Sequence, residues 1–484
     1  MPSSQPGLKR STQLVQRLTT ITPVLPKVFW VVLVMVMTPT SGAAFTSTQT
    51  TVLTSPGAVP VDSGRVTDLS SVLARGLQAD AAYRAALAGA QAAREALAQA
   101  QALLLPSVSL SASSGQVQLD KTEGYIRQPR LDYQSRNQTL ALRQTVYRRS
   151  QFLQYDQAKI QAAAADTEEA RAIYELATRL LGLYLDALYA QDVQSQVQAL
   201  IRATEGQLQA AKRLFVNGQG TRIDVDDASA RLDMAHAQAI QARQQIEFAL
   251  EQLRQALSEP LQSLARLDPN INLPPLNDVR LEQWLDRADQ TNPALELARL
   301  RLQTARLEAD KASAGHWPTL DLTLQRTLSR SEIPSNPLAS YNTTQLGLQL
   351  NVPILSGGYT QSTVRQALAL SDREEHQLEQ TRRTLVLDVR REFQSVTEGA
   401  ARALALQRAR SSADLLIAST EKGILAGTRT QTELLNAIQR ASEIQRDLAQ
   451  ARYQYLLAWG KLQLLSGYPA QEVFGQINEL LTVR

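Results

Sequence analysis

The chain contains two copies of one structural plan, and this duplication constrains its fold more than any other feature. Sliding the chain along itself without a gap superimposes matching apolar and proline positions: Leu69 on Leu281, Leu73 on Leu285, and Pro106 on Pro318. Further along, Gly218 falls on Gly427 at a slightly shorter offset. Self-similarity of this kind indicates that each copy is one supersecondary unit and that the copies pack together.

Each copy begins with a helical pattern that gives way to strands. In the first copy the pattern runs from Val66 to about Leu105, and Pro106 ends it. The period then changes to two, which predicts strands at about 107–115 and 138–147, and at about 319–328 and 344–354 in the second copy. A polar loop is expected between the strands of each pair.

The second copy shows the clearest separation of polar and apolar faces. Its leucines alternate with Thr, Asp, Gln and Asn, and we assign six of them to a lipid-facing surface: Leu320, Leu322, Leu324, Leu346, Leu348 and Leu350. A strand of about nine residues is long enough to cross a hydrocarbon core at barrel tilt. The alternative is an amphipathic hairpin that covers a soluble core, but the sequence offers no other sheet for it to cover.

A very long helical pattern follows each second strand, at about 150–216 and 360–423. At about 1.5 Å per residue, each would be a rod of roughly 100 Å. Gly218 and Gly427 interrupt the chain beyond the rods, and a third helix returns at about 223–257 and 431–465. First and third helices together match the length of the rod beside them.

Four strands are too few to close a barrel around a lumen, so the strand count implies an oligomer. Three chains would supply twelve strands and a water-filled interior. The expected fold is therefore mainly α with a pair of transmembrane β-hairpins. Its duplicated helix-strand-strand-helix-helix unit would form a trimeric 12-stranded β-barrel, continued by a long α-helical barrel.

The segments outside the two copies are identified by their residue patterns. Basic residues, an apolar run at 28–37 and small residues at 41–44 predict a signal peptide over 1–44. The other segments follow from composition and from the repeat: a Thr/Ser/Pro-rich linker at 45–65, repeats at 66–259 and 278–467, a Pro-rich link at 260–277 and a tail at 468–484. No later stretch predicts a transmembrane helix.

Charge and reactive residues argue against several functions. Residues 1–44 contain four basic and no acidic residues, so the remainder has 50 − 4 = 46 basic against 46 acidic residues. This neutral chain gives no sign of nucleic-acid binding. It has no Cys, three scattered His and no Walker sequence, so we expect no enzyme activity and no catalytic, cofactor or metal site. The lack of Cys also excludes a lipid-modified N-terminal cysteine.

Several motifs, in this order, resemble the TolC-like outer membrane factors, the trimeric channel-tunnels of efflux pumps and type I secretion systems. They are the helix-Pro-strand junctions at Pro106 and Pro318, and the segments at 352–358, 427–430 and 448–456. The resemblance implies a homotrimer in the bacterial outer membrane that extends into the periplasm and contacts outer-membrane lipid. It also implies a periplasmic adaptor and an inner-membrane ABC or proton-driven transporter. The first copy departs from the family at 145–149, where proline and glycines are usual.

The same resemblance implies a gate at the helix tips beside Gly218 and Gly427. In the family, polar links between an Asp after the first tip and an Arg after the second hold the tip closed, and these positions match Asp224 and Arg429. In the family, two acidic positions ring the entrance of the channel. The first is kept here as Glu433, and the second is the neutral Asn436. The alternative for such residues is solvated helix-end charge.

Two other classes of protein also contain long helices. A periplasmic adaptor would have one helical hairpin between compact β-modules, and a secreted coiled-coil scaffold would have sustained heptads without amphipathic strands. The duplicated strands count against both. The cargo, protein or small molecule, is left open by the sequence.

Overall fold

The computed structural model describes residues 67–259, 263–268, 273, 280–330 and 339–482. The predicted signal peptide at 1–44, the linker at 45–65 and most of the link at 260–277 lie outside these ranges. The described helices are α1 Leu69–Ala79, α2 Ala81–Ala102, α3 Arg149–Val216, α4 Arg222–Leu257, α5 Leu281–Thr291, α6 Pro293–Ser313, α7 Tyr359–Leu425, α8 Gln431–Leu465 and α9 Ala470–Asn478. Across the described part of the chain, no helix is both long enough and apolar enough to span a membrane.

The prediction of one unbroken first helix was wrong in both copies. The first copy breaks at Asp80, whose backbone is extended and whose carboxylate accepts a hydrogen bond from the Tyr83 N–H at 2.8 Å. The second copy breaks at the equivalent position, Asn292, which caps α6 in the same way and precedes a proline at the first helical position. Asp and Asn compete for backbone N–H groups, which is why they begin new helices.

Four long strands form one antiparallel sheet in the order β1-β4-β6-β7. Their bounds are β1 Ser107–Leu119, β4 Leu131–Arg148, β6 Thr319–Arg330 and β7 Ser340–Asn351. A short hairpin, β2 Thr122–Glu123 and β3 Ile126–Arg127, lies between β1 and β4. A separate pair joins β5 Arg266–Leu267 to β8 Leu481–Thr482. β1 and β7 are the edges of the large sheet.

The strands differ in length from the prediction. In the first copy, strand pairing continues through most of the expected polar loop, because Leu119 pairs with Leu131. In the second copy, β7 ends at Asn351, before the predicted end at position 354. Proline at position 353 cannot donate to a strand ladder, which explains the early end.

The long helices pack through small residues spaced seven apart. Along α4 the buried positions are Ala228, Ala235, Ala242 and Ala249. A seven-residue repeat holds one face of a helix against its partner and imposes a left-handed supercoil. Because alanine is small, the partner helix can approach closely. The sequence analysis did not identify this repeat, since alanine repeats stand out poorly in an alanine-rich chain.

The largest apolar core lies around the middle of the long helices. Leu180 and Tyr184 of α3, Val389 of α7 and Leu456 of α8 are all fully buried there. The Tyr184 hydroxyl shares its one proton between two carbonyl oxygens, that of Thr67 at 3.2 Å and that of Ala265 at 3.1 Å. These two bonds attach the segments that enter α1 and leave α4 to the centre of the core.

The C-terminal residues complete this core. Within the predicted tail, α9 buries Val473, Phe474 and Ile477 completely. Asn478 at its end donates to the Asp68 carboxylate at 3.0 Å and accepts from the Leu69 N–H at 3.1 Å. The last described helix is therefore bonded to the first.

We predict that Phe474→Ala lowers the free energy of unfolding by about 3–5 kcal/mol, because a fully buried aromatic side chain leaves a cavity. Loss of helical circular dichroism on heating measures the change. Phe215→Ala is the matched control, since Phe215 at the end of α3 is 43% exposed and should shift the transition little. Equal shifts for both variants would contradict a core role for α9.

Candidate functional site

The large sheet leaves leucines of its apolar face exposed: Leu346, Leu348 and Leu350 on the edge strand β7 are 64–70% exposed. On the inner strand β6 the most buried side chains, Asp321 and Ser329, lie on the polar face and are only 4–5% exposed. The cross-strand register pairs Leu320 with Leu350, Leu322 with Leu348, and Leu324 with Leu346. The six leucines assigned from the sequence therefore share one face. A sheet that leaves leucines exposed on one face is suited to an apolar surrounding on that face.

The second candidate site is the pair of helix tips at the ends of α3 and α7 that lie away from the sheet strands. The first tip joins α3 to α4 through Gly218, and the second joins α7 to α8 through Gly427. Both glycines have a φ of +71°, a left-handed conformation that L side chains rarely adopt. In each turn the next residue, Gln219 or Thr428, donates its N–H to a carbonyl in the last turn of the preceding helix.

The two tips use opposite combinations of a large and a small residue. At the first tip, Leu214 lies on the helix and Gly220 in the turn, where an added Cβ would lie 3.1 Å from the Leu214 Cβ. At the equivalent positions of the second tip, Gly423 lies on the helix and Arg429 in the turn. A Cβ on Gly423 would lie 2.6 Å from the Arg429 Cγ. Gly423 thus makes room for the stem of Arg429, a role that sequence analysis missed.

Asp224 and Glu433 occupy equivalent positions in the turns that begin α4 and α8. Each carboxylate accepts the N–H of the capping threonine, at 3.1 Å from Thr221 and 2.8 Å from Thr430, and each threonine hydroxyl accepts the carboxylate residue's N–H at 3.2 Å. These are two capping boxes. The sequence analysis gave these two acids different roles, whereas their local geometry is the same.

Arg429 lies beside Glu433 in the described chain. Its guanidinium donates to the Glu433 carboxylate at 2.9 Å, one turn further along the same chain segment. The Thr430 backbone N–H and the Arg429 guanidinium together hold the pKa of Glu433 below its ordinary value. The described contacts of Asp224 are within its own turn, and the described chain has no contact between Asp224 and Arg429.

Asn436 bridges the two tips. Its side-chain oxygen accepts a hydrogen bond from Arg231 of α4 at 2.8 Å, and Arg231 also pairs with Asp227 at 3.1 Å. Beneath this contact, Ala228, Leu208 and Leu435 form a small buried cluster. The hydrogen bond and the cluster hold the first hairpin against the second within one chain.

The arrangement resembles proteins of known role. The family model described as "Outer membrane efflux protein" matches residues 72–259 and 284–468. The alkaline protease secretion protein AprF of Pseudomonas aeruginosa is 32% identical over 397 residues, which cover 81% of this chain and 82% of that protein. The proteases secretion protein PrtF of Dickeya chrysanthemi is 30% identical over 403 residues, or 81% of this chain and 86% of that protein.

The fold is shared with solved outer-membrane channels. The crystal structure of the Campylobacter jejuni CmeC outer membrane channel superimposes with a TM-score of 0.73, over 86% of this chain and 90% of that one. Sequence identity in this comparison is 14%, so the similarity concerns the fold alone.

We predict that Leu346→Arg reduces membrane insertion, because a basic residue on the lipid face costs about 2–4 kcal/mol at the bilayer midplane. Gln345→Arg is the matched control: the adjacent residue is also exposed but lies on the polar face. Yields of heat-resistant protein in outer-membrane fractions report insertion. Equal yields for the two variants would show that the faces are assigned wrongly.

Proposed function

The chain belongs to the outer membrane efflux protein family and is an outer-membrane export channel, and we propose that three copies of it form the exit duct of a type I protein secretion system. Family membership excludes the periplasmic adaptor and the coiled-coil scaffold that were considered from the sequence. The duct would catalyse no reaction. It would offer a polar passage to cargo driven by an inner-membrane ABC transporter and a periplasmic adaptor.

The proposal of a trimer rests on the two unpaired edges of the sheet. β1 and β7 each have one neighbour in the described sheet, and long unpaired edges of this kind invite another strand. Because neighbouring strands alternate in direction, β7 of one chain and β1 of the next would pair antiparallel. Three sheets of four strands would close a barrel of twelve, which is wide enough for a lumen.

The long helices also leave several large apolar residues more than half exposed in the single chain. On α4 these are Met234, Ile240 and Phe248, which are 63–66% exposed. On α7, Leu404 and Leu415 are 51% and 69% exposed. Met234 lies in the first half of α4 and Leu415 near the end of α7, so both lie toward the tips. Packing between chains would bury both rows.

The choice of protein cargo rests on the relatives. AprF and PrtF are named for secretion of proteases, and each match spans about four fifths of this chain. Their identities of 32% and 30% extend over both copies of the structural unit rather than over one hairpin. A small-molecule efflux pump is the second candidate, because the family model that matches both copies is described as an outer membrane efflux protein.

We predict that the protein purified in mild detergent is a trimer whose circular dichroism is dominated by helix with a sheet contribution. Mass determination by light scattering, corrected for detergent, measures the stoichiometry. Leu415→Glu should weaken the assembly, since it places a charge in the proposed contact between chains. Asp414→Lys is the control, because the adjacent residue is 64% exposed and lies about 100° around the helix from Leu415. A monodisperse monomer that still conducts ions would contradict the trimer.

The tip residues support a proposed gate. In a trimer, Arg429 would lie between Glu433 of its own turn and Asp224 of a neighbouring chain, and three such links would hold the tip closed. Each exposed ion pair stabilises the closed tip only weakly, but three such pairs in a trimer would add together. The capping boxes would keep the carboxylates oriented toward the turns.

We predict that Arg429→Ser increases single-channel conductance in planar bilayers by roughly two- to fivefold, because weak exposed links are removed three times over. Asp224→Asn should give a similar increase while keeping an oxygen for the capping box, and the double variant should add little. Glu433→Gln should instead lower cation preference. Unchanged conductance in Arg429→Ser would show that the closure rests on other contacts.

A further inference from the structure

An uncompensated positive charge lies on the polar face of the sheet. Arg143 and Arg148 of β4 both donate to the same oxygen of Asp321 on β6, Oδ2, at 2.8 and 2.9 Å. Two guanidinium groups and one carboxylate give this cluster a net charge of +1. The strand register places no other charged residue on the polar face of the four described strands.

A β-bulge produces the cluster. β4 pairs regularly with β6 up to Thr145 opposite Asp321, and the register then shifts by one residue before Tyr147 pairs with Leu320. Side chains alternate between faces, so without the extra residue Arg148 would lie on the leucine face. The bulge turns Arg148 onto the polar face, opposite Thr319, where it meets Asp321. This segment, 145–149, is the one in which the first copy departs from the family pattern.

The three residues differ in accessibility, and this determines which one can meet a ligand. The Asp321 side chain is 7% exposed and that of Arg148 30%, whereas that of Arg143 is 58% exposed. The second carboxylate oxygen of Asp321 and the Nε of Arg148 are buried without a hydrogen-bond partner among the described residues. Arg143 uses Nη2 for Asp321, and the rest of its planar guanidinium faces the open polar side with further N–H donors.

We propose that Arg143 is an anion-contacting and charge-selecting residue of the passage, held in place by Asp321 and Arg148. The inference rests on the proposed trimer, which would place three such guanidinium groups around one lumen, where the sheet joins the long helices. The ligand class is carboxylate-bearing or other oxyanions, because a guanidinium presents paired N–H donors to two oxygens at once. Since the rest of the polar face of the described sheet is uncharged, this is where it would act most strongly on a charged solute.

The test uses the full-length protein in planar bilayers with a KCl gradient and citrate as the probe. Citrate, a tricarboxylate, is added to the compartment facing the strand loops and should reduce the wild-type current. Arg143→Gln should weaken this block roughly tenfold, since three charge-assisted contacts are lost together, and should shift the reversal potential toward cation preference. Arg148 remains to pair with Asp321, so the sheet should keep its fold.

Asp321→Asn provides a variant of opposite sign. It removes the only carboxylate of the cluster and should shift the reversal potential toward anion preference. Arg136→Gln is the matched control, because Arg136 lies on β4 but opposite Arg330 on the other face, and both readouts should stay at wild-type values.

The outcomes separate the possible roles. If Arg143→Gln lowers the heat resistance of the oligomer but leaves citrate block and reversal potential unchanged, the cluster is only a link between strands and the inference is overturned. A wild-type protein that forms no conducting pore would overturn the proposed function, and the inference with it. Opposite shifts for Arg143→Gln and Asp321→Asn would establish it.

Discussion

The requirement that every strand residue lie on one of two faces is the constraint on which the rest of the structure depends. Successive side chains alternate, so one register places leucine on the outer face and Ser, Thr, Gln and Asn on the other. Because leucines are exposed on one face, the sheet needs an apolar surrounding there. Because its two edges are unpaired, it needs further strands. The outer-membrane location fits this arrangement, and the proposed oligomer and the proposed role of a guanidinium on the polar face both rest on it.

The helices meet a different constraint, since a long rod must pack along its whole length. Alanine at seven-residue intervals lets α4 approach α3 closely, and larger side chains are concentrated in the core around Tyr184 and Leu456. Toward the tips, small residues let the helices approach each other closely. At mid-length, the apolar core buries the large side chains. The tips therefore depend on caps and a few polar contacts, which suits the gate proposed there.

Duplication and divergence together explain the candidate sites. The breaks at Asp80 and Asn292 and the capping boxes at Thr221 and Thr430 are nearly the same in the two copies. The differences are local: Arg429 has room only because its neighbour is Gly423, and the bulge in β4 has no counterpart in the described pairing of β6 with β7. Each departure from the repeat places a positive side chain where the other copy has none.

The sequence by itself determined the class of fold, because helical and strand periodicity and an internal repeat are properties of residue order. It located the strands, the long helices, the leucine face and the turns at Gly218 and Gly427, and α8 was confirmed at 431–465. Only the tertiary structure decided which polar and charged side chains are in contact. Arg429 pairs with Glu433, Asn436 meets Arg231, and Arg148 joins Arg143 at Asp321. The Asn436–Arg231 contact and the arginine cluster at Asp321 each bring together residues from different elements. The cluster also depends on a one-residue shift in strand register, which the alternation of residues in the sequence cannot reveal.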